Sequence, residues 1–184
     1  MMRILVYGAG VLGCNLARDF FKAGKDVTLL ARGKWAETIK TNGLCIKNYV
    51  FPVKSTVRVP VVTELASEDE YDVIFVAARY TQVATILNAL RANKSKNVVF
   101  LGNNVQPEKL VTALPEKNVM FAFASSAGHR EQDRVVSVDL KKITIGQLRG
   151  AQSDEQGRKP DHLSGGAAGN RQDKYRALRG ACAG

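Results

Sequence analysis

Near the N-terminus the run Gly8-Ala9-Gly10-Val11-Leu12-Gly13 has the spacing G-x-G-x-x-G. The chemistry this spacing offers is phosphate binding by main chain. Gly8 permits a tight turn, Gly10 lets the backbone approach a pyrophosphate, and Gly13 allows the following helix to pack closely. The hexapeptide alone is a weak signal, because glycine-rich turns are common. Its flanks strengthen it: an apolar run precedes it at 3–7 and a helical pattern follows from Val11. Free N–H groups and the positive end of a helix dipole then face an anion, with Ala9, Val11 and Leu12 as the remaining loop contacts. A purely structural strand–turn–helix junction is the competing reading.

The end of the second apolar run, 26–30, separates two dinucleotides. A site for NAD normally presents a carboxylate there to bind the ribose 2′-hydroxyl. This chain has Ala31-Arg32-Gly33-Lys34 instead, and no acid until Glu37. The forked donors and permanent charge of Arg32, helped by Lys34, suit a 2′-phosphate. The expectation is NADP(H) rather than NAD(H).

Other reactive side chains are few. Of the two histidines, His129 follows the fifth predicted strand as a loop residue that could border a cleft, and His162 falls in a glycine-rich tail. Ser125 and Ser126 could hydrogen-bond a substrate, or satisfy backbone groups at a strand end. Cys14 sits near a helix N-terminus, where a thiolate is stabilised, although a small packing residue there is the simpler expectation. Glu68-Asp69-Glu70 with Asp72 lacks a histidine or cysteine partner and reads as a solvated turn rather than a metal site.

The elements that must position these residues alternate between two periodicities. Strands are predicted over 3–7, 26–30, 72–77, 97–101 and 119–123, and helices over 11–23, 34–40, 81–92 and 107–114. A hairpin or edge pair is predicted at 44–49 and 53–59, and two short antiparallel strands at 135–138 and 142–145. This alternation predicts an α/β fold: a doubly wound, Rossmann-like, mainly parallel sheet with helices on both faces.

Composition sets the boundary of that domain. The 184 residues include 45% apolar and 24% charged side chains, which excludes wholesale disorder. Large apolar residues become rare after about 150 while glycines multiply, so 1–150 reads as the domain and 151–184 as a low-complexity, disordered tail. No stretch is apolar enough for a membrane span, and Met1 to Tyr7 does not read as a secretory signal. Three cysteines without paired spacing suggest a reducing compartment. The net charge of +10 invites a nucleic-acid reading. Its dispersal, without interleaved aromatics, argues against one.

In chain order, the glycine motif, Leu29-Leu30-Ala31-Arg32, Phe75-Val76-Ala77-Ala78-Arg79 and Leu101-Gly102-Asn103-Asn104 resemble the ketopantoate reductase (2-dehydropantoate 2-reductase) family over roughly residues 2–150. The resemblance implies NADPH-dependent reduction of 2-dehydropantoate to pantoate, a step towards pantothenate and coenzyme A. It aligns Arg79 with a lysine near the nicotinamide, so the charge survives but acid–base work does not. It gives Asn103 a hydrogen-bonding role towards cofactor or substrate, beside a weaker substrate contact at Ser125. Ordinary strand-end loop residues are the alternative for both Arg79 and Asn103.

The resemblance further implies a helical C-terminal domain carrying the proton-donor lysine and an acidic substrate-binding residue. The tail matches nothing there and reads like a wrong frame or a truncated gene. No catalytic residue is therefore assigned within this chain. The expected partner is a small 2-oxo acid, with neither nucleic acid nor membrane; the expected compartment is the cytoplasm, and a homodimer is compatible with all of this. A non-catalytic NADP-binding or redox-sensing module is the alternative.

Overall fold

The computed structural model describes residues 1–104 and 106–148. The tail expectation for 151–184, including His162, lies outside these residues. Strand β1 (Arg3–Tyr7) leads through the glycine loop into helix α1 (Val11–Lys22), followed by β2 (Asp26–Leu30) and α2 (Gly33–Asn42). The chain continues through β3 (Leu44–Asn48), β4 (Lys54–Val57), β5 (Val61–Val62), β6 (Val73–Val76) and α3 (Tyr80–Ala92). It ends with β7 (Asn97–Leu101), α4 (Pro107–Ala113), β8 (Asn118–Arg130) and β9 (Val135–Gly146).

Among the described residues all nine strands form one sheet in the order β4-β3-β9-β8-β7-β6-β1-β2-β5. The six strands from β8 to β5 are parallel. Chain order reverses between β1 and β6, since the chain runs outward through β2 and β5 and then returns to pair β6 on the other side of β1. A crevice opens at such a reversal, beyond the carboxyl ends of the strands.

Strand alternation sends side chains to two cores. Ile4 and Val6 pack with Leu16, Phe20, Trp35 and Ile39 of α1 and α2 on one face. Leu5 and Tyr7 pack with Val83, Ile86, Leu90 and Leu110 of α3 and α4 on the other. Helices on both faces are thus a direct result of the period-two pattern in β1. Helix α1 stops where Gly24 takes φ +69. There the N–H of Gly24 donates to Phe21 O and that of Lys25 to Phe20 O, the paired bonds of a Schellman ending.

Two expectations need correction. The predicted strand 119–123 is the start of a much longer β8, and the two short strands at 135–138 and 142–145 are one continuous β9. Their antiparallel ladder runs from Phe121↔Gly146 to Arg130↔Val135, with an irregularity between Ala124 and Ser126. His129 is therefore a strand residue, not a loop residue, and Ser125 lies within β8 rather than at a strand end. The physical reason is pairing: the exposed, polar second half of β8 lacks an apolar period but finds its hydrogen bonds on β9, which in turn pairs with β3. The short β5 was not anticipated either; it forms by parallel pairing with Leu29 and Leu30.

The β8–β9 arm and the β3–β4 pair contact α1, which also contacts the parallel sheet. The contact is polar at its centre. Buried Asn15 donates through Nδ2 to Ser126 Oγ (2.8 Å) and Ser137 Oγ (3.1 Å), and the Ser137 hydroxyl donates back to Asn15 Oδ1. Beside it, Arg18 bridges Asp19 and Asp139 at 2.7 and 2.9 Å. Asn15→Leu leaves two hydroxyls without their partner, at about 2–3 kcal/mol. The melting temperature is expected to fall by roughly 4–12 °C, and an unchanged value would refute this role.

Candidate functional site

The glycine loop joins β1 to α1 at the reversal point. At Gly8, φ is +113 and an added Cβ would stand 2.6 Å from the Ala77 carbonyl oxygen at the end of β6. Glycine is required there on both counts. At Gly13 a Cβ would lie 1.9 Å from Gly8 O and 3.1 Å from the Ala77 Cβ, so this glycine sets how closely α1 approaches the strand ends. Gly10 differs: a Cβ there meets nothing within 4 Å. The loop is closed on the protein side and open above Gly10.

The first turn of α1 has neither a side-chain cap nor an acidic residue. Its leading N–H groups have no intrahelical acceptor and carry the positive end of the helix dipole. The open face at Gly10, the uncapped helix and the lack of a local acid together fit a pyrophosphate. The Ala9 carbonyl is turned inward, where it accepts the indole N–H of buried Trp35 at 3.0 Å.

Arg32 follows β2, immediately before α2, with its backbone extended. Its Nη2 donates to the Tyr7 hydroxyl, and the guanidinium lies 5.6 Å from the centre of the Tyr7 ring. The charge is thereby held beside the glycine loop while Arg32 stays exposed. Lys34 is exposed as the second residue of α2. The nearest acid in sequence, Glu37, pairs instead with Lys40 at 3.5 Å. Arg32 and Lys34 thus place positive charge where the chain leaves β2.

The other predicted residues follow in order along the same edge of the sheet. Arg79 is exposed between β6 and α3, where its N–H reaches Gln82 Oε1 at 3.4 Å and its carbonyl accepts the Gln82 N–H. Asn103 is exposed just after β7. Its neighbour Asn104 is used locally, donating to Gly102 O at 3.1 Å. Ser125 is exposed on β8, three residues past Ala122, the last partner of β7. Arg32, the glycine loop, Arg79 and Asn103 thus stand at the ends of four adjacent strands, β2-β1-β6-β7, with Ser125 inside the neighbouring β8. At about 4.8 Å per strand these five strands span about 19 Å.

His129 is not among them; it is exposed near the tip of the β8–β9 arm, 3.6 Å from Glu131. The acid-rich turn has structural partners: Asp72 accepts the Arg3 N–H, and Glu68 pairs with Lys94. Tyr7, Trp35 and Ala77 escaped the sequence reading as site residues. Trp35 was legible only as the apolar side of a helix.

Residues 4–150 match the family model of the ketopantoate reductase PanE/ApbA family. The chain belongs to this family. The matched PanE/ApbA region begins in β1 and contains every strand end just described. The uncharacterized oxidoreductase YkpB of Bacillus subtilis (strain 168) is 27% identical over 131 residues, 68% of this chain and 42% of that protein. The crystal structure of 2-dehydropantoate 2-reductase from Geobacter metallireducens GS-15 superposes with a TM-score of 0.73 at 19% identity, covering 98% of this chain and 56% of that one. A D-mandelate dehydrogenase solved with NADH and anilino(oxo)acetate superposes at 0.66 and 21%, covering 78% and 47%. At these identities the superpositions show a shared fold. The chain spans about half the length of these relatives.

Cys14 is packed beneath this PanE/ApbA loop. Burial pushes its thiol up to about 12 from an ordinary 9.0, and the nearby Trp35 indole N–H and Arg130 charge offset this only in part. The helix N-terminus therefore does not activate it. A thiol whose folded value is raised keeps its proton longer in the folded protein than in the unfolded chain. Its contribution to stability is complete below pH 9 and is lost as pH rises from there towards 12. Denaturant midpoints of wild type and Cys14→Ala should converge over that window, and parallel curves would contradict the assignment. Native Cys14 should also resist thiol reagents at neutral pH.

Proposed function

We propose that this chain is the NADP(H)-binding half of an oxidoreductase that reduces 2-dehydropantoate to pantoate. The observation that carries the reading is the open face at Gly10 over an uncapped helix, flanked by Arg32 where a carboxylate would favour NAD. Bound there, the reduced nicotinamide would supply a hydride to the keto carbon.

The chain's own residues bind and orient. The N–H groups of Gly10 to Gly13 would hold the pyrophosphate, and Arg32 with Lys34 the 2′-phosphate. The dinucleotide would then extend past Arg79 towards Asn103, whose amide has donors and an acceptor for the nicotinamide or the substrate. Arg79 would hold anionic charge as a permanent cation, and Ser125 would border the 2-oxo acid. The forming alkoxide needs a proton, and by the family resemblance its donor is a lysine of the helical domain beyond the matched residues. We place the protein in the cytoplasm, in keeping with its unbridged Cys14 and Cys45.

Fluorescence titration with NADPH and loss of NADPH absorbance on adding ketopantoate test the two halves of this reading. Saturable binding is expected. Binding without turnover would favour a non-catalytic dinucleotide module, and absence of binding would overturn the proposal.

A further inference from the structure

We propose that Trp35 is a positioning residue that sets the direction of the Gly10 N–H, the donor at the centre of the phosphate loop; this rests on the dinucleotide reading above. The Ala9–Gly10 peptide is trans, so the Ala9 carbonyl and the Gly10 N–H point in opposite directions across one rigid plane. The buried indole Nε1 of Trp35 donates to Ala9 O at 3.0 Å and holds that carbonyl inward. The Gly10 N–H must then point away from the Trp35 indole, in a loop where a Cβ added at Gly10 would meet no atom within 4 Å. Without this bond the Ala9–Gly10 peptide is free to rotate, and its carbonyl oxygen could face the anion instead.

A second contact fixes the indole. The Arg130 guanidinium, at the end of β8, lies 5.4 Å from the centre of the Trp35 ring. A cation over the face of an indole is an attractive arrangement. Asn15, one turn along α1, ties the same arm to the helix through Ser126 and Ser137. The antiparallel arm, a departure from the predicted short strands, thereby supports the phosphate loop from outside through Arg130 and Trp35.

The test uses Trp35→Phe, which keeps a buried ring beneath Arg130 but removes the N–H, and Arg130→Ala at an exposed position. Dissociation constants for NADPH and NADH are measured for both variants and for wild type, with Gly10 amide shifts followed by NMR. Trp35→Phe is expected to weaken both dinucleotides by the same factor, about 5- to 30-fold, because the pyrophosphate is common to them. Arg130→Ala is expected to give a smaller loss of the same kind.

The signature that separates positioning from general damage is the Gly10 amide. In wild type it should move downfield on adding NADPH; in Trp35→Phe that movement should shrink while the amides of Leu12 and Gly13 still respond. Wild-type affinity in Trp35→Phe, or an undiminished Gly10 shift, would overturn the inference and leave the dinucleotide reading standing. Failure of wild type to bind either dinucleotide would overturn both.

Discussion

Gly13→Ala is expected to destabilise the fold and weaken dinucleotide binding together, whereas Gly10→Ala should weaken binding alone. The added methyl at Gly13 would meet a backbone oxygen, Gly8 O, at 1.9 Å and the Ala77 Cβ at 3.1 Å. Neither is the end of a flexible side chain, so α1 must move away from the ends of β1 and β6. Overpacking of this kind costs about 3 kcal/mol. In a domain of this size that lowers the melting temperature by roughly 6–12 °C.

At Gly10 the backbone has φ −81 and ψ −170, which alanine adopts freely, and no atom lies within 4 Å of the new methyl. The change at this N-cap should cost less than about 1 kcal/mol in the free protein. The methyl would nevertheless occupy the space a pyrophosphate needs, and affinity for NADPH should fall by about 10- to 100-fold, or ~1.4–2.8 kcal/mol. Thermal melts and fluorescence titrations of the two variants, run side by side, distinguish the roles. A Gly10→Ala protein that binds NADPH like wild type would remove the ligand from this loop.

Arg32→Ala is expected to separate the two dinucleotides. Arg32 is exposed and its partner Tyr7 keeps its ring in the core, so the fold should be little affected. Charge-assisted bonds to a phosphate contribute about 1.5–3 kcal/mol, and their loss corresponds to roughly a 10- to 100-fold weaker NADPH complex. NADH has no 2′-phosphate and should bind nearly as before. Tyr7→Phe should reproduce a fraction of this loss, because the Tyr7 hydroxyl accepts from Nη2 and limits where the guanidinium can go. Equal losses for NADPH and NADH in Arg32→Ala would contradict the assignment. Raised salt should weaken NADPH more than NADH in wild type, since an exposed cation is screened.

These two predictions draw on different sources. The glycines, and the arginine in place of an acid after β2, are readable because each follows from local chain geometry: a turn, a helix start, a strand end. The alternation that placed them is local as well. Continuous apolar runs become β1, β2, β6 and β7, and the helical spacing of Val11, Leu12, Leu16 and Phe20 becomes α1. Hence the sheet with helices on both faces was legible in the alternation, while Arg79 and Asn103 were singled out by the family resemblance.

Other features depend on partners far away in sequence. Asn15 meets Ser126 and Ser137 across 111 and 122 residues. Nothing in the neighbourhood of Asn15 marks it as buried rather than as an ordinary polar position on α1. The arm formed by β8 and β9 was read too short because its second half has no apolar period, and its ladder depends on a strand that arrives later in the chain. Trp35 looked like core and is core; that its N–H also turns the Ala9 carbonyl is a matter of packing between α2 and the loop.

The sequence by itself determined the class of fold, the glycine-rich loop and the positive charge after β2, because these depend on residues within a turn or two of one another. Only the tertiary structure decided which way the loop's donors point, what holds Arg32 in place and what braces α1 from outside. Those depend on hydrogen bonds and ring contacts between segments that touch only after the sheet has formed.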